Sequence, residues 1–437
     1  MNKLKLIVYT LCLSPIFVIL ISWWSNSSWQ SASSVFISLG RVYGLLGTYF
    51  ILIQFLLRAR IQPFEKIIGF MQIDRIHKKN GYIAITLLLL HPIFLLIGYS
   101  LNSRISIIDQ FLIFISRFDG VLNAFIGLVL FIVVICTSVY IVRRKMPYHW
   151  WYFVHLLTYL AIFLAFGHQL TNGEDFIANP AFAYFWYFLY ALVFGATLYW
   201  KIIRVGMMYV KNRFYIAEVV KETYDTTSLY IKGRHVDSIQ YQAGQFAFIH
   251  ILNKDLWWDV HPFSISCAPN GEYIRFTIKS SGDYTRKIPD VVVNTPVILD
   301  MPHGEFTLSQ AVTRKLLFIA GGVGLTPLRA MLESAGKDFD SVLIFANKTD
   351  ADIILRSELE KLSVENSVPI HHVMSGDPNY PGLKGYVTIP LLEQTVPDFK
   401  ERDIFMCGPP VMMKLVIAAL REAGVNDNLI HSEKFSL

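Results

Sequence analysis

The chain has 437 residues, 54% of them hydrophobic and only 16% charged, against about 25% charged in an ordinary soluble domain; with a mean hydropathy of +0.43 this excludes a disordered chain and a wholly soluble one. The net charge of +6 is not a nucleic-acid signal, because residues 1–213 carry 18 Lys/Arg against 6 Asp/Glu and residues 214–437 carry 21 against 27: a sparsely charged, basic, apolar half precedes an ordinary soluble one. The four cysteines, Cys12, Cys136, Cys267 and Cys407, lie too far apart in sequence for a metal-ligand pair, and nothing suggests a disulfide framework.

A bilayer span takes about 20 apolar helical residues, and six stretches qualify, at roughly 7–24, 39–57, 81–101, 121–142, 151–170 and 182–200. The first follows Lys3 and Lys5, but it is longer than a signal-peptide core and its Trp-Trp-Ser end is a poor cleavage site, so it reads as a retained helix. One set of connections is basic: Lys3 and Lys5; Arg58, Arg60, Lys66, Arg75, Lys78 and Lys79; Arg143, Arg144 and Lys145; Lys201, Arg204, Lys211 and Arg213. The alternate set is uncharged over 26–38, balanced over 100–119 and acidic at Glu174 and Asp175. The positive-inside rule then predicts a multi-pass protein of the plasma membrane with both termini and the soluble half in the cytoplasm.

Four histidines bracket two of the spans. His77 and His91 flank the third, 14 residues apart, about 40° short of four turns, so they share a face with about 21 Å of rise between them. His155 and His168 flank the fifth, 13 residues apart and about 140° out of phase on an ideal helix. Either that helix is distorted near Gly167 or its two histidines approach from different sides. Topology puts His77 and His155 at the cytoplasmic level and His91 and His168 at the outer level. Two pairs at two depths suit two six-coordinate haems, since ionisable groups inside a membrane are rare and usually functional. His149, in the basic loop region, reads as interfacial. Arg41 opens the second span on the outer side, where a cation is unusual; it is either a partner for an outer haem propionate or a snorkelling side chain.

The soluble half changes pattern twice. Phe214–Val220, Ser228–Lys232, Gln245–Leu252, Tyr273–Lys279 and Val297–Asp300 alternate or run apolar between turn residues, which predicts a small antiparallel barrel. From residue 314 strands alternate with helices, which predicts a parallel α/β sheet with ligand sites at the strand carboxyl ends. Gly321-Gly322-Val323-Gly324-Leu325-Thr326-Pro327 follows a strand and opens a helix, a phosphate-binding turn in which glycines admit close backbone approach. Met406-Cys407-Gly408-Pro409-Pro410 follows a later strand of the same sheet. In the barrel, His261-Pro262-Phe263-Ser264-Ile265-Ser266 reads as an exposed polar segment compatible with a strand, and Ser280-Ser281-Gly282-Asp283-Tyr284-Thr285 as an anion-binding turn.

Together these motifs resemble the NADPH oxidase and ferric reductase transmembrane family, fused to a ferredoxin–NADP reductase-type module; the likeness covers nearly the whole chain and is nearest to the short bacterial NADPH oxidases. It implies a six-helix transmembrane domain over 1–210, an FAD-binding β-barrel over 211–312 and an α/β NAD(P)-binding domain over 313–437. It also implies two b-type haems, held by His77 with His155 and by His91 with His168. His261, Pro262, Phe263, Ser264 and Ser266 match its flavin motif, Gly282 and Thr285 the turn on the FAD pyrophosphate, and Phe435 the terminal aromatic on the flavin. Gly321, Gly322, Gly324, Thr326, Pro327, Cys407, Gly408 and Pro409 match its nicotinamide-nucleotide motifs.

The implied activity is transfer of electrons from cytosolic NADPH through FAD and the two haems to a small acceptor outside, dioxygen first, giving superoxide, with ferric or cupric chelates, a quinone or a protein partner as alternatives. Lys348 and Arg356, after the strand ending at Ala346, offer cations to a 2′-phosphate, so the reading leans to NADPH with NADH as the alternative. Many eukaryotic members carry a second histidine one turn after the outer ligand of the third helix; here that residue is Leu95, which weakens a claim for dedicated superoxide production. No EF-hand pattern and no docking segment for a regulatory subunit is visible, and the partners expected are the acceptor and membrane lipid, with no nucleic acid.

Overall fold

The computed structural model describes residues 3–139, 145–146 and 148–433. Arg143, Arg144 and Phe435 lie outside them. The chain divides into two units, Met1–Ile202 and Ile203–Leu437.

In the first unit six helices are long and apolar enough to cross a membrane: α1 (Lys3–Ser25), α2 (Ala32–Leu57), α3 (Phe70–Ser103), α4 (Val121–Ser138), α5 (Tyr148–Asn172) and α6 (Pro180–Leu198). Several outrun their apolar stretches, because hydropathy measures what lipid tolerates and not where a helix ends. The 34-residue α3 continues back through Asp74, His77 and Asn80, where Lys78 bonds Asp74 one turn earlier at 2.7 Å. α2 starts early because Ser31 and Ser34 form a reciprocal cap.

α2 packs closely on α3 because Gly40, Gly44 and Gly47 line one of its faces. A Cβ there would come within 2.8 Å of Leu95, 2.5 Å of His91 and 2.9 Å of Leu88 respectively. α4 meets α5 in the same way, a Cβ on Gly127 falling 2.7 Å from the Ala161 carbonyl. The unit's core draws on Leu52 and Phe55 of α2, Ala84 and Ile85 of α3, Phe131 of α4, Ile162 of α5 and Trp186 and Tyr190 of α6. Large apolar side chains such as Leu11, Phe17 and Phe163 face outward, as a lipid-facing surface requires.

The second unit opens with a short helix, Arg204–Asn212, followed by β1 (Tyr215–Lys221), β2 (Thr226–Lys232), β3 (Phe246–Ile251), β4 (His261–Ser264), β5 (Ile274–Lys279) and β6 (Val297–His303). These form two three-stranded antiparallel sheets, β1-β2-β5 and β4-β3-β6. Bridges Tyr215–Pro296 and Ile265–Phe276 join their edges, closing a six-stranded barrel around Phe214, Ile249, Phe276 and Leu299.

A parallel sheet follows, in the order β10-β9-β8-β7-β11-β12. Its strands are β7 (Lys315–Gly321), β8 (Asp340–Asn347), β9 (Ile370–Met374), β10 (Leu383–Lys384), β11 (Asp403–Cys407) and β12 (Ile430–Glu433). Helices α7 (Leu325–Ala335), α8 (Arg356–Asn366), α9 (Ile389–Thr395) and α10 (Pro410–Glu422) connect them. The strand order runs outward in both directions from the β7–β11 pair, so the crevice outside the carboxyl ends of those strands is the topological switch point where such sheets bind ligands.

Candidate functional site

In the first unit the structure brings the four histidines together in two pairs. The ring centres of His77 and His155 are 6.4 Å apart, and so are those of His91 and His168, with interplanar angles of 58° and 46°. α5 runs without a break from Tyr148 to Asn172, so its two histidines reach their partners by leaving the helix on different sides.

Metal–nitrogen bonds of about 2 Å, in line on either side of one ion, put two imidazole centres about 6 Å apart. Both pairs have that spacing. No group of three or more His, Cys, Asp or Glu poised for a metal occurs among the described residues, and each pair would suit a metal whose remaining ligands came from a bound macrocycle.

The surroundings fit that group. Gly40 O lies 2.8 Å from His91 Nδ1. Only a protonated nitrogen bonds a carbonyl, so Nδ1 carries the hydrogen and Nε2 keeps its lone pair for a metal. His155 Nδ1 lies 3.4 Å from Ser138 Oγ, and Trp151 stacks on its ring at 5.0 Å. His77 Nδ1 is buried with no partner among the described residues.

Arg41 sits in an ion-pair cluster and not in a snorkelling pose. Its Nε donates to Asp175 at 3.1 Å and its Nη1 to Glu174 and to the Asn26 carbonyl, each at 3.0 Å, while Nη2 also bonds Asp175. Asp175 is 4% exposed. The guanidinium is therefore held by protein carboxylates, 133 and 134 residues away in sequence, and is not snorkelling.

In the second unit the flavin motif is β4 itself, His261 pairing with Ile249 and Ser264 with Phe246. The His261 ring is 4.2 Å from Tyr284, and Phe263 stacks on the same ring at 6.2 Å. Burial holds the His261 imidazole below its usual value, hence neutral at pH 7. Tyr284 Oη is buried without a partner among the described residues, an orphaned polar atom beside this motif that suits a bound flavin. The turn around Tyr284 is legible in the sequence, whereas no motif announces its phenol.

One expected flavin contact is corrected. Ser266 is fully buried, its Oγ donating to the Arg275 carbonyl at 3.1 Å and lying 3.0 Å from Thr277 Oγ1. The reason is that the chain leaves the β3 pairing after Ile265 and turns onto β5, so the strand's outward alternation stops. Thr285 Oγ1 accepts the Ser281 and Gly282 amides at 2.8 and 2.9 Å and donates to the Gly282 carbonyl at 3.2 Å. It shapes the turn.

At the switch point the two nucleotide motifs meet backbone to backbone. A Cβ on Gly324 would fall 2.3 Å from the Cys407 carbonyl, one on Gly321 2.7 Å from Pro409, and one on Gly408 3.0 Å from the Gly321 amide. Gly322 has φ +53° and open space where a side chain would be, so a phosphate can approach the bare backbone. Thr326 and Pro327 are buried in the first turn of α7, Thr326 Oγ1 donating to the Val323 carbonyl.

Burial pushes the Cys407 thiol well up, so it is not a thiolate. Opposite it in the sheet register, Glu433 is 8% exposed, and burial, with the Glu305 charge, pushes its carboxyl up to about 8. Lys348 is exposed. Arg356 is not a free cation: its guanidinium bonds Asp350 at 2.6 Å, a neighbour in the same turn whose charge cancels the one expected for a 2′-phosphate.

Known proteins fit this geometry. Three family descriptions match in order: ferric reductase like transmembrane component at residues 43–166, FAD-binding domain at 213–324 and oxidoreductase NAD-binding domain at 318–417. The chain is 28% identical over 239 residues to the glycine betaine monooxygenase reductase subunit of Chromohalobacter salexigens, covering 50% of this chain and 62% of that protein. It is 28% identical over 231 residues to an NADPH oxidoreductase of Mycobacterium tuberculosis, covering 51% of this chain and 59% of that protein. The chain thus spans about six tenths of the length of these curated relatives. Among solved structures, the flavohaem-like FAD/NAD-binding domain of a nitric oxide dioxygenase from Vibrio cholerae aligns with a TM-score of 0.47 at 23% identity, over 52% of this chain and 99% of that one. A ferric-reductase-like membrane component followed by FAD- and NAD-binding domains is the build of the NADPH oxidase/ferric reductase family, and this chain matches that build domain by domain.

Proposed function

We propose that this oxidoreductase moves electrons from cytosolic NADPH across the plasma membrane, through FAD and two b-type haems, to dioxygen on the far side, giving superoxide. The observation that carries the reading is the pair of facing histidine rings at two levels of one helical unit, each 6.4 Å apart. When bound, the flavin takes a hydride from the nicotinamide and releases single electrons, which is what a haem chain accepts.

The chain's own residues orient and insulate. The Gly321–Gly324 and Cys407–Pro409 turns hold the nucleotide, β4 and the Gly282–Thr285 turn hold the flavin, and His77 with His155 and His91 with His168 hold the haems. A haem held by two histidines would supply single-electron transfer to the acceptor and would not bind it. The basic loops favour a cytoplasmic second unit.

A second reading is a ferric or cupric chelate reductase. The match to a ferric-reductase-like membrane component and Leu95 in place of a second histidine favour it. Purified protein with NADPH separates the two. Dioxygen as acceptor requires cytochrome c reduction that superoxide dismutase abolishes. A chelate reductase gives dismutase-insensitive reduction that rises with added ferric chelate. A pyridine haemochrome assay finding fewer than two haems per chain refutes both.

A further inference from the structure

An ionic network whose guanidinium groups are buried and whose carboxylates are about a third exposed joins the barrel to the nucleotide-binding half of the second unit. Arg275 on β5 has a side chain 1% exposed. Its Nε donates to Ser266 Oγ at 3.1 Å, its Nη2 to the Ser266 carbonyl at 2.7 Å and its Nη1 to Tyr230 Oη at 3.3 Å. It also pairs with Glu358 of α8. Arg329, one turn into α7, donates to the same Ser266 carbonyl at 3.3 Å, bonds Glu358 at 2.8 Å and pairs with Glu333. Glu333 in turn accepts the Ala268 amide at 2.7 Å.

Buried ion networks are weak evidence for stability, because desolvating the charges offsets their attraction and apolar replacements often serve as well. What this one fixes is geometry. Two forked guanidinium groups share one carbonyl, two residues beyond Ser264 at the end of the flavin motif. One of them stands on the helix that begins immediately after Gly324 of the nucleotide turn. Arg forks lock distance and direction in a way a point charge does not.

We propose that Arg275, Arg329, Glu333 and Glu358 are positioning residues, a clamp that sets the spacing between the flavin-motif strand and the nucleotide-binding helix so that the nicotinamide meets the flavin in a reactive pose. A misplacement of about 1 Å is enough to cost roughly a hundredfold in rate. This rests on the flavin and nucleotide reading above.

The test uses full-length, FAD-loaded protein and Glu358→Gln, which keeps the shape and removes the charge both arginines share. The clamp predicts unchanged FAD occupancy and a nucleotide Kd within twofold of wild type. It predicts a tenfold or greater fall in NADPH-driven flavin reduction by stopped flow, a larger primary isotope effect with 4-deuterated NADPH, and a weaker flavin–NADP charge-transfer band. If Glu358→Gln lowers FAD occupancy through misfolding, Glu333→Gln decides by the same readouts, with faster hydrogen exchange of the Ala268 amide as a check that the clamp has opened. Wild-type reduction rate and charge-transfer band in the folded variant overturn the proposal, as does a loss confined to nucleotide Kd. Failure of the wild-type flavin to be reduced by either nicotinamide nucleotide sinks the flavin reading itself.

Discussion

Adding one methyl group at Gly44 tests the histidine pairs without touching a histidine. A Cβ there would stand 2.5 Å from His91 Nδ1, where ordinary contacts begin at 3.4 Å, so ring and helix must part by about 1 Å. The same displacement takes the 2.8 Å bond between Nδ1 and Gly40 to nearly 4 Å, past the limit of a hydrogen bond. The lost bond costs about 0.5–1.5 kcal/mol and the overpacking about 1–3 kcal/mol. Loss of such a supporting bond lowers metal affinity roughly 10–100-fold. Gly44→Ala is therefore expected to lose the haem at the His91/His168 level and keep the other, giving one haem per chain by pyridine haemochrome, while NADPH still reduces the flavin. Gly167→Ala and Gly195→Ala are the controls, because a Cβ at either meets nothing within 4 Å, and both should keep two haems. Two haems with unshifted spectra in Gly44→Ala would refute the placement of His91 against α2.

Three further outcomes follow from the second unit. Thr285→Ala removes the acceptor of two turn amides, at about 1–3 kcal/mol for the groups left unpaired, so FAD affinity measured by fluorescence titration should fall roughly tenfold and be restored in Thr285→Ser. Glu433 keeps its proton up to about pH 8 in the folded chain but releases it near pH 4 when unfolded; stability is therefore lost as pH rises between those values, on the order of a few kcal/mol. Thermal unfolding of Glu433→Gln should depend less on pH across that window, and an identical slope would show that the carboxyl is not buried as described. Lys348→Ala should reduce kcat/KM for NADPH more than for NADH; an equal effect on both leaves Lys348 a surface side chain.

Much of this was legible in the chain. The six spans follow from hydropathy alone, and the depth pairing of the histidines follows from their places in those spans. Phase was not legible for α5: a helical wheel set His155 and His168 about 140° apart, and only the ring positions show both reaching partners on α3. The ion pairs of Arg41 were hidden for a similar reason, since Glu174 and Asp175 lie far off in sequence and no local pattern announces the pairing. Ser266 was misread because alternation along a strand predicts exposure only while the strand stays in one sheet, and here it crosses to β5. Thr285 and Arg356 were assigned to ligands because their residue types suit phosphate, yet each is already satisfied within its own turn. Among the motif glycines, Gly324 and Gly408 sit where a Cβ would strike neighbouring backbone, which leaves few other residues possible there.

The central claim is that electrons cross the bilayer through the two histidine pairs. Protein reconstituted in sealed vesicles, with NADPH outside and a membrane-impermeant acceptor trapped inside, tests it directly. The account predicts reduction of the trapped acceptor by wild type, and loss of that reduction in His91→Ala and His168→Ala while NADPH still reduces the flavin. A trapped acceptor that stays oxidised with wild type, or is reduced equally by the histidine variants, contradicts it.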